Sequence, residues 1–265
     1  MRKSVGGSGK LNGLSKPELT IAVLHYNRWD LTKDCLASID AQEIPCSYEK
    51  VLVDNGSETA WAIEEFLRDF HTWKIYRVEK NQGHIRGQNL CFESARGQWV
   101  LFVANDVRLY DKECIRELYN YAIYQLSRQQ YRVGQIQPMV IKPDKSIDHF
   151  GMTWNWPGYG YGNQWWNSKD LRIDIVPSTC YLIRKATWNE LGGFDTGLTT
   201  SHEDVDFGIR LQNAGYQNFL WIEAEAVHLG NATLRHQPSH NRAAFHRDRV
   251  YIIKKHYRGF SRLAR

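Results

Sequence analysis

The run Trp99-Val100-Leu101-Phe102-Val103-Ala104-Asn105-Asp106 decides the fold. Its first five residues have the length and apolar composition of a buried strand, and polar residues follow them at once. Similar apolar runs precede it at 21–26, 51–53 and 74–78. Apolar residues at helical spacing separate these runs, at 31–39, 61–70 and 90–95, and a further helical pattern spans 112–126. This alternation predicts an α/β fold whose mostly parallel central sheet is flanked by helices.

Polar residues follow three of the predicted strands. They are Tyr26-Asn27, Asp54-Asn55 and Asn105-Asp106. Ligands of parallel α/β sheets bind beyond the carboxyl ends of the strands, so these positions are candidate binding residues. Asp106 has two interpretations: it holds a divalent metal such as Mg²⁺ or Mn²⁺ through oxygen, or it only starts a turn.

A glycine-containing loop, Asn81 to Asn89, precedes the third predicted helix and includes Gly83 and Arg86. Glycines at a helix start let the backbone approach phosphate groups, and they equally suit a plain tight loop. The loop lacks the Lys-Ser/Thr pair of a P-loop and is not a dinucleotide fingerprint.

Three carboxylates crowd the start of another predicted helix, in the run His202-Glu203-Asp204-Val205-Asp206. A structural helix needs only one acidic residue as its cap. The additional carboxylates are typical of a site where a carboxylate removes a proton from a nucleophile. His228 follows 24 residues after Asp204. It is either a hydrogen-bonded structural residue or, with Asp106, part of a carboxylate–imidazole metal site.

Aromatic and basic segments occupy the rest of the chain. A Gly/Trp/Tyr-rich stretch contains Trp154, Trp156, Trp165 and Trp166, which either stack on sugar rings or pack in a core. Residues 236–265 carry a net charge of +7, against +5 for the whole chain. This tail is either a basic helix packed on the domain or a segment that lies on an anionic membrane surface.

The bulk composition narrows the class of protein. No apolar run reaches about 18 residues, which argues against a membrane-spanning helix. Residues 1–18 lack the apolar core of a secretion signal and indicate a flexible tail. The five cysteines form no Cys-x-x-Cys pair, which favours reduced thiols in a cytoplasmic protein. No nucleic-acid partner is expected.

In order, these motifs resemble a family 2 glycosyltransferase of the GT-A fold, in its rhamnosyltransferase-like branch. The resemblance spans about residues 19–232, and its motifs are 23–27, 53–57, 81–83, 103–107, 192–195, 202–206 and 227–228. It implies a GT-A domain over 19–235, with a Rossmann-like nucleotide-sugar-binding half (19–110) and an acceptor-side catalytic half (111–235). The basic helical tail, 236–265, follows.

The resemblance also implies a chemistry: inverting, metal-dependent and non-processive transfer of a hexosyl or deoxyhexosyl group. The donor would be a UDP-, dTDP- or GDP-linked sugar, and the acceptor a glycan or a lipid-linked molecule. Asp204 matches the catalytic base, with Glu203 beside it. Asp106 and His228 match the ligands of Mn²⁺ or Mg²⁺. Donor contacts are expected from His25, Tyr26, Asn27, Asp54, Asn55, Gly83, Arg86, Asn89 and Asn105, and acceptor contacts from Asp206 and the four tryptophans.

One departure from the family pattern concerns the metal. Ala104 stands where the Asp-x-Asp motif has its first acid. A single carboxylate holds a metal less firmly, so the phosphates of the donor would supply much of the affinity. Two other classes stay open. A glycan- or nucleotide-sugar-binding module with little turnover is favoured by Ala104, and a sugar nucleotidyltransferase also uses a nucleotide-binding α/β domain with acids on metals. If the chain associates with a membrane, we expect it to lie at the membrane surface as a peripheral protein.

Overall fold

The computed structural model describes residues 16–58, 61–155, 158–161, 170–230 and 241–256. In these segments, strands and helices follow one another along the whole chain. Their order and bounds are β1 Leu19–His25, α1 Trp29–Asp40, β2 Tyr48–Asp54, α2 Trp61–Asp69, β3 Lys74–Arg77, α3 His84–Ser94, β4 Trp99–Ala104, β5 Val107–Arg108, α4 Cys114–Arg128, β6 Arg132–Ile141, β7 Ile147–His149, β8 Met152–Asn155, β9 Gly158–Tyr161, β10 Asp170–Ile173, β11 Cys180–Arg184, α5 Lys185–Glu190, α6 Glu203–Asn213, β12 Tyr216–His228 and α7 Asn241–His256.

One large mixed sheet organises the fold, with strand order β10-β12-β6-β11-β4-β1-β2-β3. Strands β4, β1, β2 and β3 are mutually parallel, as the strand–helix alternation predicts. Strand β11 runs antiparallel to β4 and β6, while β12 runs parallel to β6. The sequence-based prediction of an α/β fold with a mostly parallel central sheet flanked by helices is confirmed.

Two apolar layers cover the faces of the sheet. Along β4, Trp99, Leu101 and Val103 point into one layer, while Val100 and Phe102 point into the other. Helices α1 and α4 close the first layer, and α3, α5 and α6 close the second. Because neighbouring strands are buried on both faces, their sequences are continuous apolar runs instead of alternating ones.

The second half departs from the expected elements. A single strand is predicted over 173–183, but the chain forms two strands, β10 and β11, separated by a turn at 174–179 that contains Pro177. The long strand β6 was not predicted. Its sequence contains Gly134 and Pro138, which weaken a strand pattern, and Pro138 lies where the pairing of β6 with β12 shifts register.

Helix α7 of the basic tail packs on the domain. Ile252 is buried in the second apolar layer. Asp248, 1 % exposed, accepts hydrogen bonds from the backbone N–H groups of Thr199, Thr200 and Ser201 at 3.1, 2.8 and 3.2 Å. The tail therefore fixes the loop that leads into α6. In the described segments, no helix is long and apolar enough to cross a membrane.

Candidate active site

The carboxyl ends of three neighbouring strands meet at one edge of the sheet. His25 at the end of β1 lies opposite Asp54 at the end of β2, and Leu24 lies opposite Ala104 at the end of β4. The predicted turn residues therefore share one edge. His25 Nδ1 lies 2.7 Å from the Thr32 hydroxyl, and the Asn105 side-chain amide donates to the same hydroxyl at 3.0 Å.

Asp54 and Asn27 shape the turn after β2. The Asp54 carboxylate accepts from the backbone N–H of Ser57 at 2.9 Å and pairs with Arg77 at 3.3 Å. Asn27 has a positive φ of 56°, and its side-chain oxygen accepts from the backbone N–H of Glu58 at 2.9 Å. Tyr26 beside it is half-buried. Asp54 is 2 % exposed, so its contacts are with this turn.

Asn55 connects this turn to the glycine-containing loop. Its amide NH₂ donates to Asn81 Oδ1 and to the carbonyl of Gly83, both at 3.0 Å, and its oxygen accepts from the backbone N–H of Gln82 at 3.0 Å. Gly83 has a φ of 82° and directly precedes α3. Asn55 thus determines where the start of α3 lies.

Two of the predicted donor residues on α3 have other partners. Asn89 is 6 % exposed, accepts from the backbone N–H of Phe194 at 2.9 Å and donates to its carbonyl at 2.9 Å. Its prediction as a donor contact is corrected, because both polar atoms hold the 193–194 turn. Arg86 pairs with Glu93 at 2.7 Å on the surface. It also lines a cleft of about 410 Å³ together with Gln82, Gly83, Ile85, Thr196, Leu198 and Thr199.

Asp106 faces His228 across the end of the sheet. Its Oδ2 lies 3.3 Å from His228 Nε2, and His228 Nδ1 lies 2.7 Å from Oδ2 of Asp148 on β7. Burial alone would lower the pKa of His228, but hydrogen bonds and ion pairing with the two carboxylates raise it to about 9. Burial opposes ionisation of Asp106 as well, and His228 outweighs it and lowers the pKa of this carboxyl.

These side chains fit a divalent cation. Two ligand atoms that each lie about 2.1 Å from a cation and about 90° apart are separated by about 3 Å. The 3.3 Å between Asp106 Oδ2 and His228 Nε2 is close to that separation. Asp148, His149 and His228 also bring potential ligand atoms within 4.8 Å of one another. A carboxylate and an imidazole suit Mn²⁺ or Mg²⁺, with remaining positions left to water or phosphate.

The acidic cluster divides into two different environments. Glu203, 4 % exposed, accepts from the Ser178 hydroxyl at 2.7 Å and lies 3.2 Å from His84 Nε2. Burial would raise the pKa of Glu203, but these two partners lower it. Burial and then the charge of Glu203 raise the pKa of the half-buried Asp204 to about 7. Asp204 is therefore a carboxylate poised to exchange a proton near neutral pH.

His84, at the start of α3, lies 3.2 Å from Glu203, and its side chain is 47 % exposed. Partial loss of hydration would lower its pKa, but the hydrogen bond to Glu203 and the charges of Glu203, Asp204 and Asp106 raise it. The imidazole is thus within electrostatic range of all three carboxylates. Positions 106 and 204, far apart along the chain, therefore both influence the charge of His84.

Asp206, predicted as an acceptor contact, has a different environment. Its carboxylate is fully buried and pairs with Arg210, Lys255 and His256, each at 2.7 Å. Burial opposes ionisation, but His256 and these cations lower its pKa to about 2. The prediction is corrected: a carboxylate without exposed surface joins α6 to α7 and does not reach a ligand.

The predicted aromatic acceptor residues are barely described. Trp154 lies on β8, opposite Tyr159 of β9, and its side chain is not described. Trp156, Trp165 and Trp166 lie outside the described residues. Their role as acceptor contacts stays a prediction.

Sequence reasoning missed three residues of the cleft. His84 lies in the glycine-containing loop, which was interpreted through its glycines. A histidine directly after Gly83, at the start of a predicted helix, could have marked it as a candidate site residue. Asp148 and His149 lie on the short strand β7, after a turn at 144–146. An acid next to a histidine is a combination that often binds metals. In this chain, however, only the pairing of β7 with β6 brings Asp148 and His149 beside His228.

Comparisons with known proteins show which proteins this chain is similar to. O-antigen biosynthesis protein RfbC of Myxococcus xanthus is 25 % identical over 235 residues, which cover 83 % of this chain and 18 % of that protein. N-acetylglucosaminyl-diphospho-decaprenol L-rhamnosyltransferase of Mycobacterium tuberculosis is 24 % identical over 149 residues, covering 49 % of this chain and 48 % of that protein. The chain thus spans less than half the length of these curated relatives.

Solved structures show the same fold. GalNAc-T7, in a complex with UDP, GalNAc and Mn²⁺, superposes with a TM-score of 0.67 at 14 % identity, covering 82 % of this chain and 44 % of that one. The mannosyltransferase PcManGT of Pyrobaculum calidifontis, with GDP-Man and Mn²⁺, gives 0.61 at 17 % identity, covering 82 % and 58 %. The fold is GT-A. The sequence profile of Glycosyl transferase family 2 matches residues 20–188 of this chain, which is more than half of the chain. The chain therefore belongs to glycosyltransferase family 2.

Proposed function

We propose that this glycosyltransferase is inverting, metal-dependent and non-processive, and that it moves a sugar from a nucleoside-diphosphate donor to an acceptor hydroxyl. One observation supports the proposal most directly: the charges of both Asp204 and Asp106 raise the pKa of His84, so the two carboxylates act on one imidazole. One acid has the proton affinity of a general base, and the other lies with an imidazole where a cation fits.

Asp204 acts as the base. Its carboxylate accepts the proton of the acceptor hydroxyl while that oxygen attacks the anomeric carbon, opposite the departing diphosphate. A base with a pKa of about 7 is ionised often enough at neutral pH and still binds a proton well. Such catalysis contributes about 10² to 10⁴ in rate.

Glu203 helps to raise the pKa of Asp204, while the charge of His84 opposes that rise. Ser178 and His84 keep Glu203 ionised, and its fixed negative charge contributes to the raised pKa of Asp204. The nearby carboxylates raise the pKa of His84, and a protonated His84 would stabilise the negative charge that grows on the leaving diphosphate. Asp106 and His228 would hold Mn²⁺ or Mg²⁺, which when bound stabilises that same charge.

The donor and acceptor are proposed by class. A UDP-, dTDP- or GDP-linked sugar fits the strand ends near Asp54 and the loop at Gly83. A deoxyhexosyl donor and a lipid-linked acceptor follow from the name of the mycobacterial relative. On α7, the exposed apolar residues Phe245 and Val250 lie among basic residues. We propose that this surface meets anionic lipids where such an acceptor is anchored.

A thermal-shift screen of nucleotide sugars with and without Mn²⁺ tests the proposal, because a ligand that binds only the folded state raises Tm. The donor that it identifies is then incubated with candidate glycan and lipid-linked acceptors. We expect release of a nucleoside diphosphate that depends on Mn²⁺ and is lost in Asp204→Asn. Binding without release would indicate a binding module, and pyrophosphate as product would indicate a nucleotidyltransferase. Undiminished turnover by Asp204→Asn would remove Asp204 as the base.

A further inference from the structure

The short strand β7 places a second carboxylate behind the metal-binding histidine. Asp148 Oδ2 lies 2.7 Å from His228 Nδ1, while His228 Nε2 faces Asp106 at 3.3 Å. Strand β7 pairs with the end of β6, and β6 pairs with β12, which ends at His228. Asp148 is thus held against His228 by the backbone of the sheet. It is part-buried, with a side chain 22 % exposed.

This contact decides which nitrogen of His228 is available to a cation. A ring that binds a cation through Nε2 is neutral, so its one hydrogen lies on Nδ1, where the Asp148 carboxylate accepts it at 2.7 Å. In the neutral imidazole, the lone pair is then on Nε2, the atom that faces Asp106. Histidine ligands of metals are commonly oriented in this way by a carboxylate behind the ring, which also makes the ring a stronger ligand.

His149, next to Asp148 in sequence, does not share this role. Its Nε2 lies 3.2 Å from the Thr179 hydroxyl, and its Nδ1 lies 3.5 Å from the Gln137 side chain. The residue is only 6 % exposed. Asp148 is therefore the group of this pair that bonds His228.

We propose that Asp148 is a positioning residue for His228: it fixes the tautomer whose Nε2 points at the cation, and it supplies the second negative charge that Ala104 cannot. This inference rests on the proposed metal-dependent function. In the family pattern, two acids near one another provide the charge. In this chain, Asp106 provides one charge directly, and Asp148 provides the other through the imidazole.

Mn²⁺ alone is the probe, titrated into the full chain and its variants and followed by the loss of the free-ion electron paramagnetic resonance signal. We expect Asp148→Asn to weaken Mn²⁺ binding about 10- to 100-fold, and Asp106→Ala to abolish it. Asp144→Asn is the matched control, because it alters an exposed carboxylate in the turn before β7 and should leave the affinity unchanged. Thermal melting of each variant excludes global unfolding.

A spectroscopic signature separates positioning from ligation. Bound Mn²⁺ should show nitrogen hyperfine coupling in wild type and in Asp148→Asn, since His228 itself remains, and should lose it in His228→Ala. Wild-type affinity in Asp148→Asn overturns the positioning role. A loss as complete as that of Asp106→Ala overturns it in favour of direct ligation. The titration is repeated with UDP present, because the phosphates of the donor are expected to supply much of the affinity. If the wild-type chain binds no Mn²⁺ in either case, the metal part of the proposed function fails, and the role of Asp148 fails with it.

Discussion

Asp204→Asn should make the protein more stable at alkaline pH, and this needs no substrate to test. Folding raises the pKa of Asp204 from an ordinary value of 3.8 to about 7. The folded state therefore binds this proton more tightly than the unfolded state, so the group lowers stability as pH rises from about 4 to about 7. Below about pH 4 both states are protonated, and the penalty is absent. An asparagine carries no charge at any of these pH values.

The size of the effect follows from the shift. One pKa unit corresponds to about 1.4 kcal/mol, so the shift of Asp204 sets an upper bound of about 4 kcal/mol. Glu203 and His84 titrate with Asp204 and share the proton, which reduces what one substitution recovers. We therefore expect a gain of about 1–2 kcal/mol above pH 7, or about 2–8 °C in Tm for a chain of this size.

The measurement is urea denaturation of wild type and Asp204→Asn at several pH values between about 4 and 8. The stability difference should be near zero at the acid end, rise between the two pKa values and level off above about pH 7. Glu64→Gln is the control, because it removes an exposed carboxylate on α2. Its difference from wild type should show no comparable rise with pH.

A flat difference between Asp204→Asn and wild type would refute the reasoning, because it would mean that Asp204 titrates like an exposed carboxylate. A difference that falls with rising pH would mean that the favourable partners of Asp204, among them the backbone N–H of Val205 at 2.8 Å, outweigh burial and the charge of Glu203. Either result would leave Asp204 without the proton affinity that makes it suitable as a base at neutral pH.

Three further predictions test other parts of the site. Asp106→Ala should abolish the rise in Tm that Mn²⁺ gives the wild-type chain; an equal rise in both would remove Asp106 from the metal site. Asp248→Asn should destabilise the chain by about 1.5–3 kcal/mol at pH 7, since a charged acceptor of backbone N–H groups is lost. These hydrogen bonds outweigh burial and lower the pKa of Asp248. The destabilisation by Asp248→Asn, measured by urea denaturation, should therefore become smaller toward pH 3. A destabilisation that does not change with pH would contradict this. Asn89→Ala should cost about 2–4 kcal/mol in the same assay by leaving the backbone of Phe194 unpaired in the interior; a loss under about 0.5 kcal/mol would return Asn89 to the donor residues.

The parallel half of the sheet could be predicted from sequence because its strands are buried on both faces. Such strands are short apolar runs, and the helices between them keep their own spacing. Strand β6 escaped prediction for the opposite reason. It includes Gln135 and Gln137, both fully buried, and Pro138 at a shift of register. Only the tertiary environment makes a strand of such a sequence.

The carboxylates of the candidate site could be singled out from sequence because their residue type alone indicates acid–base or metal-binding chemistry. A carboxylate after a buried strand or within an acidic cluster stands out in any sequence. Polar residues whose partners are distant do not reveal their role: Asn89 bonds a residue 105 positions later, and Asp206 bonds His256 fifty positions later. Both resemble ligand-binding residues in sequence and are structural in the fold.

The tail has a role in the site that its sequence does not indicate. The family match ends at residue 188, before the acidic helix α6 begins. Asp248 of α7 holds the loop that enters α6, and Lys255 and His256 hold Asp206 two residues after Asp204. The position of the proposed base therefore depends on contacts made by a segment outside the matched region. If the exposed face of α7, which carries Phe245 and Val250, meets a membrane, then membrane binding and the placement of Asp204 depend on opposite faces of one helix. Substitutions at the contacts of Asp248 should then alter both.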